Sequence, residues 1–186
     1  VVFVGPYEHH SNEISWGESL ATVEVVELDE KGHLDLADLE RKLEKPEYEG
    51  RMKIGSFSAA SNVTGVLTPV YEVARILHGH GALAFFDFAA MAPYCEINVQ
   101  RDGEAYFDGC FFSPHKFLGG PGSVGLFIFR KEIYSTSISP SFGAGGTVDF
   151  VNFETQDYAD DIEEREKPGT PPILQTMRAA LAVDLK

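Results

Sequence analysis

Two side chains stand where chemistry is expected. Asp87 closes the apolar run Gly81-Ala82-Leu83-Ala84-Phe85-Phe86. Carboxylates in apolar surroundings are rare unless paired. A cationic partner, such as a protonated pyridine nitrogen, would keep this one ionised; the plainer alternative is an Asp that caps a loop or helix. Lys116 follows an apolar segment within Ser113-Pro114-His115-Lys116 and precedes the turn Gly119-Gly120-Pro121-Gly122-Ser123. A lysine so placed could form a Schiff base with a cofactor aldehyde, and Ser113 and His115 beside it could hold a phosphate; the alternative is a solvated surface lysine. His9, in Glu8-His9-His10-Ser11-Asn12, could stack on a flat cofactor or be an ordinary loop histidine.

Several other chemistries lack their signatures. The glycines after Lys116 could let backbone approach a ligand, but they do not form a P-loop, and no strand is followed by G-x-G-x-x-G. The histidines show no H-E-x-x-H or Cys/His spacing, so no metal site is expected; His78-Gly79-His80 is read as the end of a helix near solvent. There is no G-x-S-x-G elbow. Cys95 and Cys110 have no base beside them and read as small buried hydrophobes.

The elements that must position these residues alternate between strand and helix. Residues 1–4 and 124–129 read as buried strands, 82–86 as a strongly apolar strand, 53–59 and 107–112 as strand candidates, and 21–28 as an alternating strand. Leu36, Leu39 and Leu43 recur at helical spacing. Pro69 opens a second helix with Val70, Val73, Ala74 and Leu77 on its inner face, ended by Gly79 and Gly81. Ser11 or Asn12 could cap a helix after the first strand. The fold class is α/β: a three-layer domain with a mainly parallel sheet. Such sheets bind ligands beyond the carboxyl ends of their strands. Four polar clusters fall at those ends: Glu8-His9-His10, Ser61-Asn62, Asp87, and Ser113-His115-Lys116. Beyond about residue 133 the texture turns to Ser, Thr, Gly and acids, and a terminal helix begins near Ile173.

The 186 residues carry 15 Lys and Arg against 29 Asp and Glu, a net charge of −14. That balance opposes non-specific binding to nucleic acid or docking on an anionic membrane. No apolar run is long enough to span a bilayer. With two cysteines the expected setting is reducing and cytoplasmic. The acidic stretch 156–166 reads as a solvated face, or more remotely as a contact for a basic partner. An opening in mid-strand and a helix that runs to the last residue read as a piece of a longer enzyme.

Taken in order, these pieces resemble class V aminotransferases among the fold type I pyridoxal-phosphate enzymes, with cysteine desulfurases and selenocysteine lyases as the nearest branch. The matching segments are Glu8-His9-His10-Ser11-Asn12, residues 32–39, Ser61-Asn62-Val63-Thr64-Gly65, Asp87-Phe88-Ala89-Ala90, Ser113-Pro114-His115-Lys116, Gly145-Gly146-Thr147, and residues 166–171. The resemblance covers nearly the whole chain. It implies that Lys116 holds pyridoxal 5'-phosphate as a Schiff base and shuttles protons. Asp87 would pair with the pyridinium nitrogen, His9 would stack on the ring, and Asn62 would lie near the ring hydroxyl. Ser113 and His115 would contact the phosphate. Thr147 would reach the phosphate of a neighbouring subunit, which implies a homodimer acting on an amino-acid substrate. Where the family often has Gln, this chain has Ala90. The resemblance also implies a division into residues 1–132, the core of the cofactor-binding large domain; 133–172, a loop-rich connection; and 173–186, the start of a helix leading to a missing small domain. Two rival readings are an inactive piece of such an enzyme and a different α/β phosphate- or nucleotide-binding domain with Asp87 on a ribose.

Overall fold

The apolar segments of the chain pair into one six-stranded sheet in a computed structural model that describes all residues from Val1 to Lys186. Its strands are β1 (Val2–Val4), β2 (Val23–Val25), β3 (Ile54–Ser58), β4 (Leu83–Asp87), β5 (Gly109–Phe112) and β6 (Leu126–Phe129). They lie in the order β2-β1-β3-β4-β5-β6, and all neighbours are parallel except β5 and β6. A short antiparallel hairpin, β7 (Val148–Val151) with β8 (Gln156–Tyr158), stands apart from this sheet. The helices are α1 (His10–Gly17), α2 (Leu36–Leu43), α3 (Val70–Gly79), α4 (Ile162–Arg165) and α5 (Ile173–Leu185). The mainly parallel α/β sheet expected from the strand–helix alternation is therefore present.

Helix α3 buries Val70, Val73, Ala74 and Leu77, the face its spacing marks out. These side chains join Phe3, Phe57, Phe86 and Phe107 with Leu39 and Leu43 of α2 in one apolar cluster. Gly55 lets α3 approach β3, because a Cβ there would sit 2.4 Å from Leu77 Cδ1. At about 25 cal/mol per Å² of apolar surface, each fully buried Phe or Leu of this cluster contributes about 2 kcal/mol. Helix α2 starts at Asp35, whose Oδ1 accepts from Ala37 N at 2.9 Å and Asp38 N at 3.0 Å. Asp38 ties α2 to the chain leaving β2 by accepting from Glu27 N at 2.8 Å.

Four expectations change or gain detail. The strand expected over residues 21–28 pairs only over Val23–Val25, because β2 is an edge strand and Val25 is already exposed. The apolar segment at residues 124–129 forms β6, which is not buried: it is the opposite edge, and Phe127 and Ile128 stand about half exposed. A continuous apolar run carries no mark that separates an edge from a centre. The loop-rich region after residue 133 holds the β7–β8 hairpin and α4. His78-Gly79-His80 closes α3 as expected, but the His78 ring is not free in solvent. Its ring stacks on Tyr106 with centroids 3.9 Å apart, and its nitrogens meet Glu104 O at 2.8 Å and Asp108 Oδ2 at 3.0 Å. Asp108 is itself 2 % exposed and accepts from Ala84 N at 2.8 Å. The cluster thus staples α3 to the amino-terminal ends of β4 and β5.

Candidate active site

Parallel pairing brings the carboxyl ends of β1, β3, β4 and β5 to one edge of the sheet. The order reverses between β1 and β3, the place where open α/β sheets form their crevice. A cleft of about 190 Å³ opens there. His9, Asn62, Asp87, Ser113, His115 and Lys116 all line it, together with Ser11, Ser58, Ala60, Ala89 and Ala90. Six of the seven residues singled out as site residues therefore meet in one place.

Each arrives on its own local device. His9 ends the loop after β1 and caps α1: its backbone is extended, and its side chain accepts from Ser11 N. The cap is thus His9, not Ser11 or Asn12. Asn12 is instead buried, with Nδ2 donating to Glu8 Oε2 at 2.7 Å and Ser56 O at 3.1 Å. Asn62 sits exposed at the tip of a tight turn in which Ser61 Oγ accepts from Val63 N and Thr64 N, both at 3.2 Å. Asp87 is the last residue of β4 and is 6 % exposed. Its Oδ1 accepts from Ala89 N at 2.8 Å, while its second carboxylate oxygen has no partner in the chain. Burial pushes its carboxyl above the usual range, and the Ala89 N–H, Lys116 and His9 pull the other way. A cation delivered into the cleft would find this carboxylate without a full partner.

Ser113, His115 and Lys116 lie on a short helical turn after β5, opened by Pro114. Lys116 Nζ is exposed and makes no hydrogen bond or ion pair within the chain. Of the glycines that follow, Gly120 serves this turn. A Cβ on Gly120 would lie 1.8 Å from Pro114 O, so only glycine lets the chain fold back beneath Lys116. None of these glycines lines the cleft.

Thr147 is placed apart. It is fully buried beside the β7–β8 hairpin, and its hydroxyl donates to Ala144 O at 2.7 Å and accepts from Ala144 N at 3.2 Å. The neighbouring acidic stretch, expected as a solvated face, is partly structural. Arg165 is buried, and its Nη2 donates to Thr136 O at 3.1 Å and Ile138 O at 2.7 Å; Glu166 accepts from Tyr134 OH at 2.6 Å. Neither cysteine lines the cleft. Cys110 is buried in β5, its thiol pushed up to about 11 by burial, and Cys95 Sγ donates to Met91 O at 3.3 Å.

Sequence reasoning missed Glu8 as the support of this site. Its carboxylate accepts from Gly5 N at 3.1 Å, Ser58 N at 2.9 Å, Ser58 Oγ at 2.7 Å and Asn12 Nδ2 at 2.7 Å. It joins the ends of β1 and β3 to the start of α1. A glutamate in a polar loop carries no signal that distinguishes this role from a solvated one. No group of His, Cys, Asp or Glu is arranged to hold a metal ion, and no helix is long and apolar enough to cross a membrane.

The family model described as aminotransferase class-V matches residues 1–186. A probable cysteine desulfurase of Halalkalibacterium halodurans is 30% identical over 187 aligned residues, covering 98% of this chain and 43% of that protein. Among solved structures, the apo cysteine desulfurase of Thermococcus onnurineus NA1 superposes with a TM-score of 0.82 at 29% identity, over 99% of this chain and 44% of that one. The Escherichia coli cysteine desulfurase CsdA gives a TM-score of 0.83 at 26% identity, with the same coverage. The chain thus spans less than half the length of the proteins it matches.

Proposed function

The chain belongs to the class V aminotransferase family, and from that premise we propose that its cleft binds pyridoxal 5'-phosphate and serves a reaction on an amino acid. The observation that carries this reading is the convergence of Asp87, His9 and Lys116 on one cleft, with one Asp87 oxygen and the Lys116 amine both unpartnered. The donor set suits the group: a buried carboxylate for a ring cation, a flat imidazole, a free primary amine, and Ser113 with His115 for a phosphate. When bound, pyridoxal phosphate supplies an aldehyde carbon and a conjugated ring that draws electrons from the substrate.

The protein's own residues do the rest. Lys116 Nζ is the amine that would hold the aldehyde carbon, and as a free base it could take or return a proton at the substrate α-carbon. Asp87 would hold a proton on the ring nitrogen, since an ion pair formed at this buried end of β4 is stronger than one in water. His9 would cover one ring face and Asn62 would meet the ring hydroxyl, a task that Ala90 cannot share. Thr147 has its hydroxyl committed to its own loop, so a contact from it to a second subunit would require that loop to open.

The substrate branch favoured is sulfur removal from cysteine or a related amino acid, because the similar proteins named above are cysteine desulfurases. Cys95 and Cys110 lie off the cleft and do not supply its nucleophile. The proposal carries a cytoplasmic homodimer.

Incubation with pyridoxal phosphate, borohydride reduction and mapping of the modified lysine test the assignment. The expected label sits on Lys116 alone and is lost in Lys116→Ala. Label scattered over surface lysines, or retained in that variant, overturns it.

A further inference from the structure

His9 reaches Ser11 through one ring nitrogen twice. Nδ1 accepts from Ser11 N at 3.2 Å and lies 2.8 Å from Ser11 Oγ. A backbone N–H can only donate, so the lone pair of Nδ1 must point at Ser11. The Ser11 hydroxyl, 2.8 Å away, can turn to donate to the same lone pair. A neutral imidazole whose Nδ1 accepts carries its proton on Nε2. Nε2 has no partner in the chain, and the ring lines the cleft. His10 does not compete, since its ring stands 6.3 Å from that of His9 and tilted by 45°.

We propose that Ser11 is a positioning residue that locks His9 in its Nε2–H form, so that the cleft meets His9 as a hydrogen-bond donor rather than as a base. Occupants that present an acceptor atom to the edge of the ring are favoured, and those that present a donor are opposed. This consequence rests on the reading of the cleft given above; the locked form itself does not.

The test reads the ring nitrogens directly. The protein is labelled with ¹⁵N-histidine, and two-bond nitrogen–proton correlations are recorded without any ligand, with His9→Asn used to assign the signals. The expected pattern places the pyridine-type nitrogen at Nδ1. Ser11→Ala, at an exposed position where folding is not at stake, leaves only the backbone N–H. It should lower the ratio of the two forms about five-fold, the weight of one ordinary hydrogen bond of about 1 kcal/mol, and Ser11→Thr should restore it. A pyridine-type nitrogen at Nε2, or an averaged ring in the unsubstituted protein, overturns the locked form. An unchanged ratio in Ser11→Ala overturns the role of Ser11. None of these results depends on cofactor binding, so failure here is distinct from failure of the Lys116 label.

Discussion

Replacing Glu8 by Gln removes one acceptor from a carboxylate that is surrounded only by donors. If the new amide nitrogen takes the place of Oε1, it faces the N–H groups of Gly5 and Ser58; if it takes the place of Oε2, it faces Asn12 Nδ2 and Ser58 Oγ. The serine hydroxyl can turn and accept. Asn12 cannot flip, because its Oδ1 already accepts from Ser56 Oγ at 2.6 Å and Trp16 Nε1 at 3.3 Å. At least one buried donor is therefore left facing another donor. Hydrogen bonds to a charged group are worth about 1.5–3 kcal/mol each. Burial already pushes the Glu8 carboxyl up, so removing the charge returns part of that loss. The net expectation is a destabilisation of about 2 kcal/mol. With a urea slope of about 2 kcal/mol per molar, the unfolding midpoint should fall by about 1 M with the slope unchanged. An unchanged midpoint in Glu8→Gln would refute the reasoning, since it would mean that the four contacts are exchangeable with water.

Three further outcomes are expected. Gly120→Ala should displace the turn carrying Lys116, because the added methyl meets Pro114 O; thermal unfolding should register about 1–3 kcal/mol, together with a loss of labelling at Lys116. Asp87→Asn should keep cofactor attachment at Lys116 but lower turnover about a hundred-fold or more, and single-turnover rates that match the unsubstituted enzyme would remove Asp87 from the mechanism. His78 offers a pH test. Burial lowers its pKa, but Asp108 and the Glu104 carbonyl outweigh this and raise it above the usual value. The folded state then holds the proton more tightly than the unfolded state. The contribution is full below about pH 6.5 and fades as pH rises through the folded-state value. Denaturation midpoints should decline across that window in the native protein and flatten in His78→Gln.

How much of this was legible in the chain depends on the kind of signal. Asp87 and Lys116 stood out because a charge at the end of an apolar run is costly to place without a purpose. Their meeting with His9 and Asn62 followed from the inference of a parallel sheet, which aligns carboxyl ends at one edge. Helix α3 followed from its Pro and Gly boundaries and from spacing, since its buried face repeats at the helical period. The edge position of β6 did not, because edge and centre share the same apolar composition. His78 was read from its helix-end context, whereas its stacking on Tyr106 and its bond to Asp108 come from residues far along the chain.

By itself, the sequence determined the strand–helix alternation, the faces that α2 and α3 bury and the residue types able to hold a pyridine cation, an aldehyde and a phosphate. These properties are local, set by periodicity and by the chemistry of single side chains. Only the tertiary structure decided that the Glu8 carboxylate is enclosed by hydrogen-bond donors, that Gly120 packs on the Pro114 carbonyl, and that Thr147 turns inward. The physical reason is distance along the chain. Glu8 finds Ser58 across 50 residues, and a hydrogen bond between segments so far apart leaves no trace in either one until the sheet brings them together.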